Sequence, residues 1–206
     1  MYKRHDKTLP LLESVLSSSR VPDELWIMCE ASDDAEVALD ALHKIGAKGV
    51  GVTVLNTPMI NGKYEVIPYS HKINWALDRT LADIICYIDN GSFPSVDKYK
   101  VMSQALEENP SFGAVYCSQQ RSGTDNRTSW ADSICNDAYT VLNYTQVMHR
   151  RTPDRWNLDM RNSNPDVADA IFWRDLHKSI GSFHPVDGAR IHDWHHIESY
   201  AAQGTE

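Results

Sequence analysis

The sequence predicts an α/β fold in which a mostly parallel β-sheet is flanked by helices. Short apolar runs alternate with segments of helical periodicity over the first 117 residues, as in chains that build such sheets. The run from Ile84 to Ile88 is apolar throughout, which is typical of a strand buried on both faces. It stops at Asp89-Asn90-Gly91, and ligands of open α/β sheets bind outside the carboxyl ends of strands. We therefore expect Asp89 to meet a ligand; the alternative is that these three good turn formers only make a turn.

Within the first 117 residues, helices and strands are predicted from the spacing of the apolar residues and from the capping residues. Apolar residues at helical spacing behind a Ser or Asp predict helices, and short runs rich in apolar and β-branched residues predict strands. The predicted order is a helix over 9–16, a strand over 25–29, a helix over 33–45, a strand over 50–55, a helix over 70–81, a strand over 84–88, a helix over 97–108 and a strand over 113–117.

The pattern is lost between residue 118 and about residue 164. This segment is rich in polar residues and locally basic, and its arginines are Arg121, Arg127, Arg150, Arg151, Arg155 and Arg161. Two interpretations stay open: a solvated insertion, or a flap whose guanidinium groups reach phosphate oxygens. Regular structure is expected again over 166–173, with a short helix over 175–180 and a last helix over 193–202.

Composition narrows the classes of function. The 206 residues carry a formal net charge of −8, which argues against broad, sequence-independent binding of nucleic acid. No apolar run approaches the roughly 20 residues of a membrane span, and the first residues lack the apolar core of a signal peptide. The four cysteines are widely spaced, which favours buried free thiols over disulfides or zinc. We expect a cytoplasmic protein.

Five segments resemble, in the correct order, the motifs of glycosyltransferase family 2, the inverting nucleotide-sugar transferases with the GT-A fold. The resemblance covers nearly the whole chain, and five matches with credible spacing are more specific than any one of them. The segments are Tyr2-Lys3-Arg4 with the helix behind it, LWIMCEASDD at 25–34, Lys72-Ile73-Asn74-Trp75-Ala76-Leu77, Asp89-Asn90-Gly91 at the place of the DxD motif, and DAIFWR, IGSF and HDW at 169–174, 180–183 and 192–194.

The resemblance implies a single GT-A-like domain over residues 1–206 with a Rossmann-like sheet. Residues 1–117 would form the nucleotide-sugar-binding half. Residues 118–206 would form the acceptor half, with a flexible Arg-rich segment over 118–164. The first strand of the family's sheet would be shortened or missing, since Tyr2 to Arg4 fall where that strand should end.

The resemblance also implies site residues. Asp193 falls at the position of the catalytic base, and Asp89 at the first acid of the DxD motif, which faces the ribose and diphosphate of the donor. Glu30, beside Cys29, falls at the acid that contacts the nucleobase. The implied donor-binding residues together are Tyr2, Arg4, Glu30, Lys72, Asn74, Asp89 and Asn90. We expect Asp89 and Asp193 to open onto one cleft.

The chemistry of such a transfer explains these residue types. A carboxylate that takes the proton of the acceptor hydroxyl commonly contributes about 10² to 10⁴ in rate. The departing nucleoside diphosphate gathers negative charge, which a divalent ion or basic side chains must meet. One base that acts opposite the leaving group predicts inversion at the anomeric carbon. The donor implied by the family is most commonly UDP-linked, and the acceptor is left open between protein, glycan, lipid carrier and nucleic acid.

Gly91 departs from the family pattern because it stands where the metal-binding acid is usual and has no side-chain ligand. A Mn²⁺ or Mg²⁺ ion would then be held by Asp89, the diphosphate, water and His192. Alternatively, Lys72 and the Arg-rich segment would neutralise the diphosphate.

Two other classes of function remain open on the sequence. One is a nucleotide-sugar-binding domain without catalysis, which the loss of an acid at Gly91 favours. The other is a zinc enzyme, because His192 and His196 have the i, i+4 spacing of a helical zinc pair, near His184 and His195. The residues between His192 and His196 are Asp193-Trp194-His195, so the glutamate of the HExxH motif is absent. Trp194, next to the predicted base, is interpreted as an acceptor platform.

Overall fold

The computed structural model describes residues 5–29, 32–47, 49–56, 68–121, 142–156 and 165–193. Its helices are α1 (His5–Leu16), α2 (Ser32–Ile45), α3 (Pro68–Leu77), α4 (Lys98–Glu108) and α5 (Pro165–Ile180). Its strands are β1 (Glu24–Cys29), β2 (Gly51–Asn56), β3 (Ile84–Cys86), β4 (Ser92–Pro94), β5 (Ala114–Arg121), β6 (Val147–Arg150) and β7 (Phe183–Asp193). No helix in these ranges is long and apolar enough to cross a membrane.

The strands form two separate sheets in the part of the chain that the structure describes. β1 and β2 pair in parallel, with Glu24 opposite Gly51 and Cys29 opposite Asn56. The second sheet has the order β3-β6-β5-β7-β4. In it β5 and β7 are parallel, and the pairs β3–β6, β5–β6 and β4–β7 are antiparallel. The predicted α/β class is confirmed. The pairing is mixed, because β6 is antiparallel to β3 and β5, and β4 is antiparallel to β7.

Helices cover both faces of the five-stranded sheet, as the sequence predicts. Alternate residues of β5 enter two different cores because side chains alternate along a strand. Ala114 and Tyr116 pack in a cluster with residues of α3 and α5, whereas Val115 and Cys117 pack with residues of α1 and α4. The sheet is therefore the middle of three layers.

The core on the α5 side is aromatic. Trp156 stacks on Phe172 with ring centroids 4.7 Å apart, and Tyr87 meets the edge of Trp156 at 5.5 Å. His149 is buried beside them, and its Nε2 lies 3.0 Å from the Tyr87 hydroxyl. Its Nδ1 lies 2.7 Å from the carbonyl oxygen of Arg150, which assigns the proton to Nδ1. Burial lowers the pKa of His149 to about 4, so the imidazole is neutral at pH 7.

Gly113 sets how closely α5 approaches β5. A Cβ atom at this position would lie 2.2 Å from the carbonyl oxygen and 2.4 Å from the Cβ of Ile180, the last residue of α5. These distances are far below van der Waals contact. Only glycine therefore allows the end of the helix to rest on the strand.

Several elements differ from the sequence-based expectation. Helix α3 ends at Leu77, and Leu81, expected on its apolar face, is outside the helix and 81% exposed. The segment over 118–164 contains β6, preceded by a short 3₁₀ turn at Tyr144–Gln146. The order expected over 166–173 and the short helix over 175–180 belong to one helix, α5.

The end of the chain differs most. The last helix was expected to begin at Asp193, which is instead the last residue of β7. Residues 194–202 lie outside the described residues. β7 escapes detection because Pro185, Asp187 and Gly188 are turn formers, and Gly188 has a positive φ of 81°. Pairing with β4 and β5 holds this irregular segment as a strand.

Candidate functional site

Asp89 lies just past the carboxyl end of β3 in a tight turn. The amide of Ser92 donates to the carbonyl oxygen of Asp89 at 3.2 Å. Within this turn the amide of Gly91 donates to Asp89 Oδ1 at 2.9 Å, and the hydroxyl of Tyr144 donates to Oδ2 at 2.8 Å. The Asp-Asn-Gly residues form the expected turn, and the contact of Asp89 with a ligand stays a prediction. The residues make a turn, and the turn presents a half-buried, oriented carboxylate at the strand end.

Two polar atoms of the same turn have no hydrogen-bond partner among the described residues. They are the side-chain oxygen of Asn90 and the hydroxyl of Ser92, both buried, and the whole Ser92 residue is 0% exposed. A buried hydroxyl or amide without a partner costs about 1 to 3 kcal/mol of stability. Such groups are uncommon in folded proteins, and each is a candidate contact for a bound molecule or a water.

Asp193 is placed by strand pairing at the same end of the sheet. Its Cα lies opposite that of Ser92 in β4 and opposite that of Arg121 in β5. Strands β3, β5 and β7 run in one direction, because β3 and β5 are both antiparallel to β6 and β7 is parallel to β5. Asp89, Arg121 and Asp193 consequently stand where these three strands end.

Lys72 lies at the carboxyl end of the other sheet. Its ammonium group is buried and donates to the carbonyl oxygen of Cys29, the last residue of β1, at 2.6 Å. Burial raises the pKa of the Cys29 thiol, with Asp34 adding to the shift, so this cysteine is a thiol rather than a thiolate. The neighbouring Glu30, and also Tyr2 and Arg4, lie outside the described residues.

Asn74 is engaged by the backbone of Trp156. Its side-chain nitrogen donates to the Trp156 carbonyl oxygen at 2.9 Å, and its side-chain oxygen accepts from the Trp156 amide at 2.8 Å. The amide group thus pairs with residue 156 as a neighbouring strand would. These two bonds attach the backbone at Trp156 to α3. The role of Asn74 in donor binding remains a prediction.

His192, the second predicted metal ligand, lies opposite Phe93 in β4. Its pKa is lowered, first by burial and then by Arg190, which keeps the imidazole neutral. Among the described residues, three potential metal ligands lie close together at His5, Asp33 and Asp34. This cluster includes neither His192 nor Asp89. The donor set at the Asp89 turn is one carboxylate that already accepts two hydrogen bonds. These residues do not fit a metal ion held by the protein alone.

Three arginines of the basic segment have structural partners. Arg150 donates to the carbonyl oxygens of Phe112 and Leu106 at 3.0 and 2.6 Å. Arg151 donates to that of Thr80 at 3.0 Å. Arg155 forms an ion pair with Asp78 at 2.7 Å. These three guanidinium groups are bonded to other parts of the chain, which neither of the two interpretations of the segment predicted. Arg127 and Arg161 lie outside the described residues.

The histidines behind the zinc hypothesis do not gather in the described part of the chain. His184 stacks on the ring of Phe112, with centroids 3.7 Å apart and planes 9° from parallel. His195, His196 and the predicted acceptor platform Trp194 lie outside the described residues.

Sequence reasoning missed Tyr144 and Ser92. Tyr144 falls in the segment without periodicity, and its signal was the pair Asn143 and Gln146, which form a capping box around the turn. Ser92 was overlooked because one serine after a turn carries no pattern, and its burial comes from β7, a strand the sequence did not reveal.

Comparison with known proteins places the fold. No protein-family model matches the chain, and no curated protein sequence matches it. The crystal structure of S. aureus TarS residues 1–349 superposes with a TM-score of 0.70 at 14% identity, over 92% of this chain and 57% of that one. A second crystal structure of S. aureus TarS gives 0.66 at 14% identity, over 96% and 36%. A mycobacterial protein gives 0.54 at 14% identity, over 91% and 61%. This chain therefore spans about a third to three fifths of these proteins, and its fold is a GT-A-like α/β fold.

Proposed function

We propose that this chain transfers a sugar from a nucleotide-diphosphate sugar, UDP-linked, to an acceptor hydroxyl with inversion. The observation that carries the proposal is the convergence of Asp89 and Asp193 at the carboxyl ends of β3 and β7. The side-chain oxygen of Asn90 and the hydroxyl of Ser92, which lack partners within the described part of the chain, offer hydrogen bonds to a bound molecule. The GT-A-like fold and the five motif matches agree with a transferase of nucleotide sugars.

Asp193 acts as the general base in this proposal. Its carboxylate accepts the proton of the acceptor hydroxyl as that oxygen forms a bond to the anomeric carbon. The bond from the anomeric carbon to the diphosphate breaks on the opposite face, and the nucleoside diphosphate leaves with the bonding electron pair. The single displacement inverts the configuration at this carbon.

Donor binding falls to the carboxyl ends of β1 and β3. Asp89 and Asn90 supply acceptors to the ribose hydroxyls, and Lys72 supplies positive charge near the Cys29 end of β1. Tyr2, Arg4, Glu30 and Asn74 complete the set that the family resemblance implies.

The proposal routes no step through a metal. The predicted Mn²⁺ or Mg²⁺ ligands, Asp89 and His192, do not make a site by themselves, and Gly91 contributes an amide donor where the family has an acid. Lys72, with Arg121, Arg127 and Arg161 of the basic segment, then meets the charge of the leaving diphosphate in this proposal.

The lack of a side-chain acid at Gly91 favours a second candidate function, a domain that binds nucleotide sugars without transferring them. Assays of sugar transfer and of donor hydrolysis distinguish the two functions. The transferase releases nucleoside diphosphate and forms product with an acceptor, whereas the binding domain leaves the donor intact.

A thermal-shift screen of nucleotide-diphosphate sugars, with and without Mn²⁺, followed by a transfer assay with and without EDTA, tests the proposal. A donor at about 100 times its Kd stabilises the protein by about 2.7 kcal/mol. We expect a shift with at least one donor, release of nucleoside diphosphate, and activity that EDTA leaves unchanged. No shift with any donor overturns the nucleotide-sugar assignment, and loss of activity in EDTA overturns the metal-free part alone.

A further inference from the structure

Asp89 is held by two donors that come from different parts of the chain. The Gly91 amide belongs to its own turn, but the Tyr144 hydroxyl comes from a residue 55 positions away. Each carboxylate oxygen accepts one of these hydrogen bonds. The two bonds therefore fix the plane of the carboxylate.

The turn that carries Tyr144 is braced from three sides. The Asn143 side chain accepts from the Thr145 amide at 2.9 Å, and the Gln146 side chain accepts from the Asn143 amide at 3.0 Å. Gln146 also donates to the carbonyl oxygen of Cys117 in β5 at 2.9 Å. Lys98 of α4 donates to the carbonyl oxygen of Thr145 at 2.7 Å.

Lys98 makes this bracing unusual. The residue is 0% exposed, and its ammonium group lies 3.5 Å from the Cys86 sulfur at the end of β3. Burying a charged amine costs free energy unless the amine is well hydrogen-bonded. A loop that only connects two elements does not need so costly an anchor. Here the anchor ties the Tyr144 turn to the strand that leads into Asp89.

The ring of Tyr144 is also held in place by a neighbouring side chain. It meets Trp156 edge to face, with centroids 6.1 Å apart, and Trp156 is fixed by Asn74. Ring, turn and hydroxyl are thus all held, and the hydroxyl points at one carboxylate oxygen.

We infer that Tyr144 is a positioning residue for the nucleotide diphosphate: it fixes the Asp89 carboxylate in the orientation that accepts from the donor. This inference rests on the proposed function, because it concerns the same donor site. The Tyr144 hydroxyl adds a hydrogen bond from outside the turn to the one that the Gly91 amide donates from within it. Affinity for the nucleotide should therefore depend on the Tyr144 hydroxyl through Asp89 and not independently of it.

A double-mutant cycle tests this coupling with UDP as the probe. UDP is titrated by calorimetry into the wild type, Tyr144→Phe, Asp89→Asn and the double variant. We expect Tyr144→Phe to weaken UDP binding about 10-fold in the wild type, because a hydrogen bond to a charged group is lost, and less than about 2-fold in the Asp89→Asn background. Tyr87→Phe is the matched control, because it removes a buried hydroxyl bonded to His149 and should leave UDP affinity unchanged.

The outcomes separate this inference from the proposed function. Two outcomes overturn the positioning role and leave the proposed function standing, provided that the wild type binds UDP. In one, Tyr144→Phe binds UDP as well as the wild type does. In the other, Tyr144→Phe weakens UDP binding as much in the Asp89→Asn background as in the wild type. If Tyr144→Phe does not fold, Gln146→Leu, which releases the turn from β5, takes its place in the cycle with the same expectation. If the wild type binds neither UDP nor GDP, CDP or ADP, both fall.

Discussion

Ser92 lies directly opposite Asp193 in the β4–β7 pair, which joins the turn after Asp89 to the last residue of β7. Ser92, whose hydroxyl is buried, is therefore the paired residue of the proposed base, and variants of either one report on the same site.

Asp193→Asn should abolish sugar transfer and leave nucleotide affinity nearly intact. The amide cannot take the proton of the acceptor, so kcat should fall by about 10² to 10⁴. Steady-state kinetics and UDP calorimetry measure the two effects. Asp187→Asn is the control, because Asp187 is an exposed acid on the same strand and its replacement should change neither. Full activity of Asp193→Asn removes this residue from the mechanism.

Ser92→Ala should make the protein more stable and its nucleotide binding weaker. The substitution removes a buried hydroxyl without a partner, which should raise the free energy of unfolding by about 1 kcal/mol. Urea denaturation without ligand and UDP calorimetry measure the two changes.

Ser103→Ala is the matched control for this experiment. Ser103 is also buried, but its hydroxyl donates to the Lys100 carbonyl oxygen and accepts from Arg20. Its loss should destabilise the protein by about 1 kcal/mol. If Ser92→Ala is destabilised to the same extent, the Ser92 hydroxyl has a partner in the free protein and is not held for a ligand.

Asn74→Ala should destabilise the protein by about 3 kcal/mol, because both the amide and the carbonyl of Trp156 lose their partner. Asn109→Ala, which removes a single bond to the Ala105 carbonyl oxygen, should cost about 1 kcal/mol. Urea denaturation of the two variants gives the comparison. Equal small losses would mean that water replaces the side chain at Trp156.

The stability of the protein should fall as the pH drops below 6.5, and His149 should account for part of the loss. Its pKa is about 4 in the folded protein and 6.5 as the reference for the unfolded chain. Below 6.5 the unfolded chain takes up a proton that the folded one does not, so this contribution is full above 6.5 and is lost as the pH falls toward 4. Between about pH 7 and pH 5 the loss should reach about 2 kcal/mol.

His149→Gln tests this assignment, since an amide replaces the imidazole and does not titrate. Urea denaturation at both pH values should show a smaller pH dependence for the variant than for the wild type. A variant whose stability changes with pH as much as that of the wild type would assign the effect to other groups.

The part of the fold that the sequence predicts is the part with local patterns. β1, α2 and β2 were predicted to within a residue or two at each end, because Asp33 and Gly46 mark the ends of α2 and β-branched residues fill β2. The end of β3 at Asp89 was predicted for the same reason: an apolar run gives way to turn formers. These signals lie within a few residues of the element they define.

The rest depends on partners far away in the sequence. Strand β7 contains Pro185 and Gly188, and β6 contains His149 and Arg150, so neither has the alternation of an isolated strand. Each is a strand because β5 lies beside it. Likewise, Tyr144 belongs to the candidate site only because Lys98 and Gln146 carry its turn to Asp89, and no pattern near Tyr144 indicates that partner.

Local opening of the β1–β2 pair should require less free energy than opening of the five-stranded sheet. The pair packs with α2 around a small cluster of Cys29, Ala35 and Ala38, and two strands alone are marginally stable in water. Lys72 of α3 donates a hydrogen bond to the last carbonyl oxygen of β1. Among the strands, amide exchange should accordingly be fastest in β1 and β2. A nucleotide bound at the Cys29 end would slow exchange there first. Exchange in this pair of strands would therefore report whether the site is occupied.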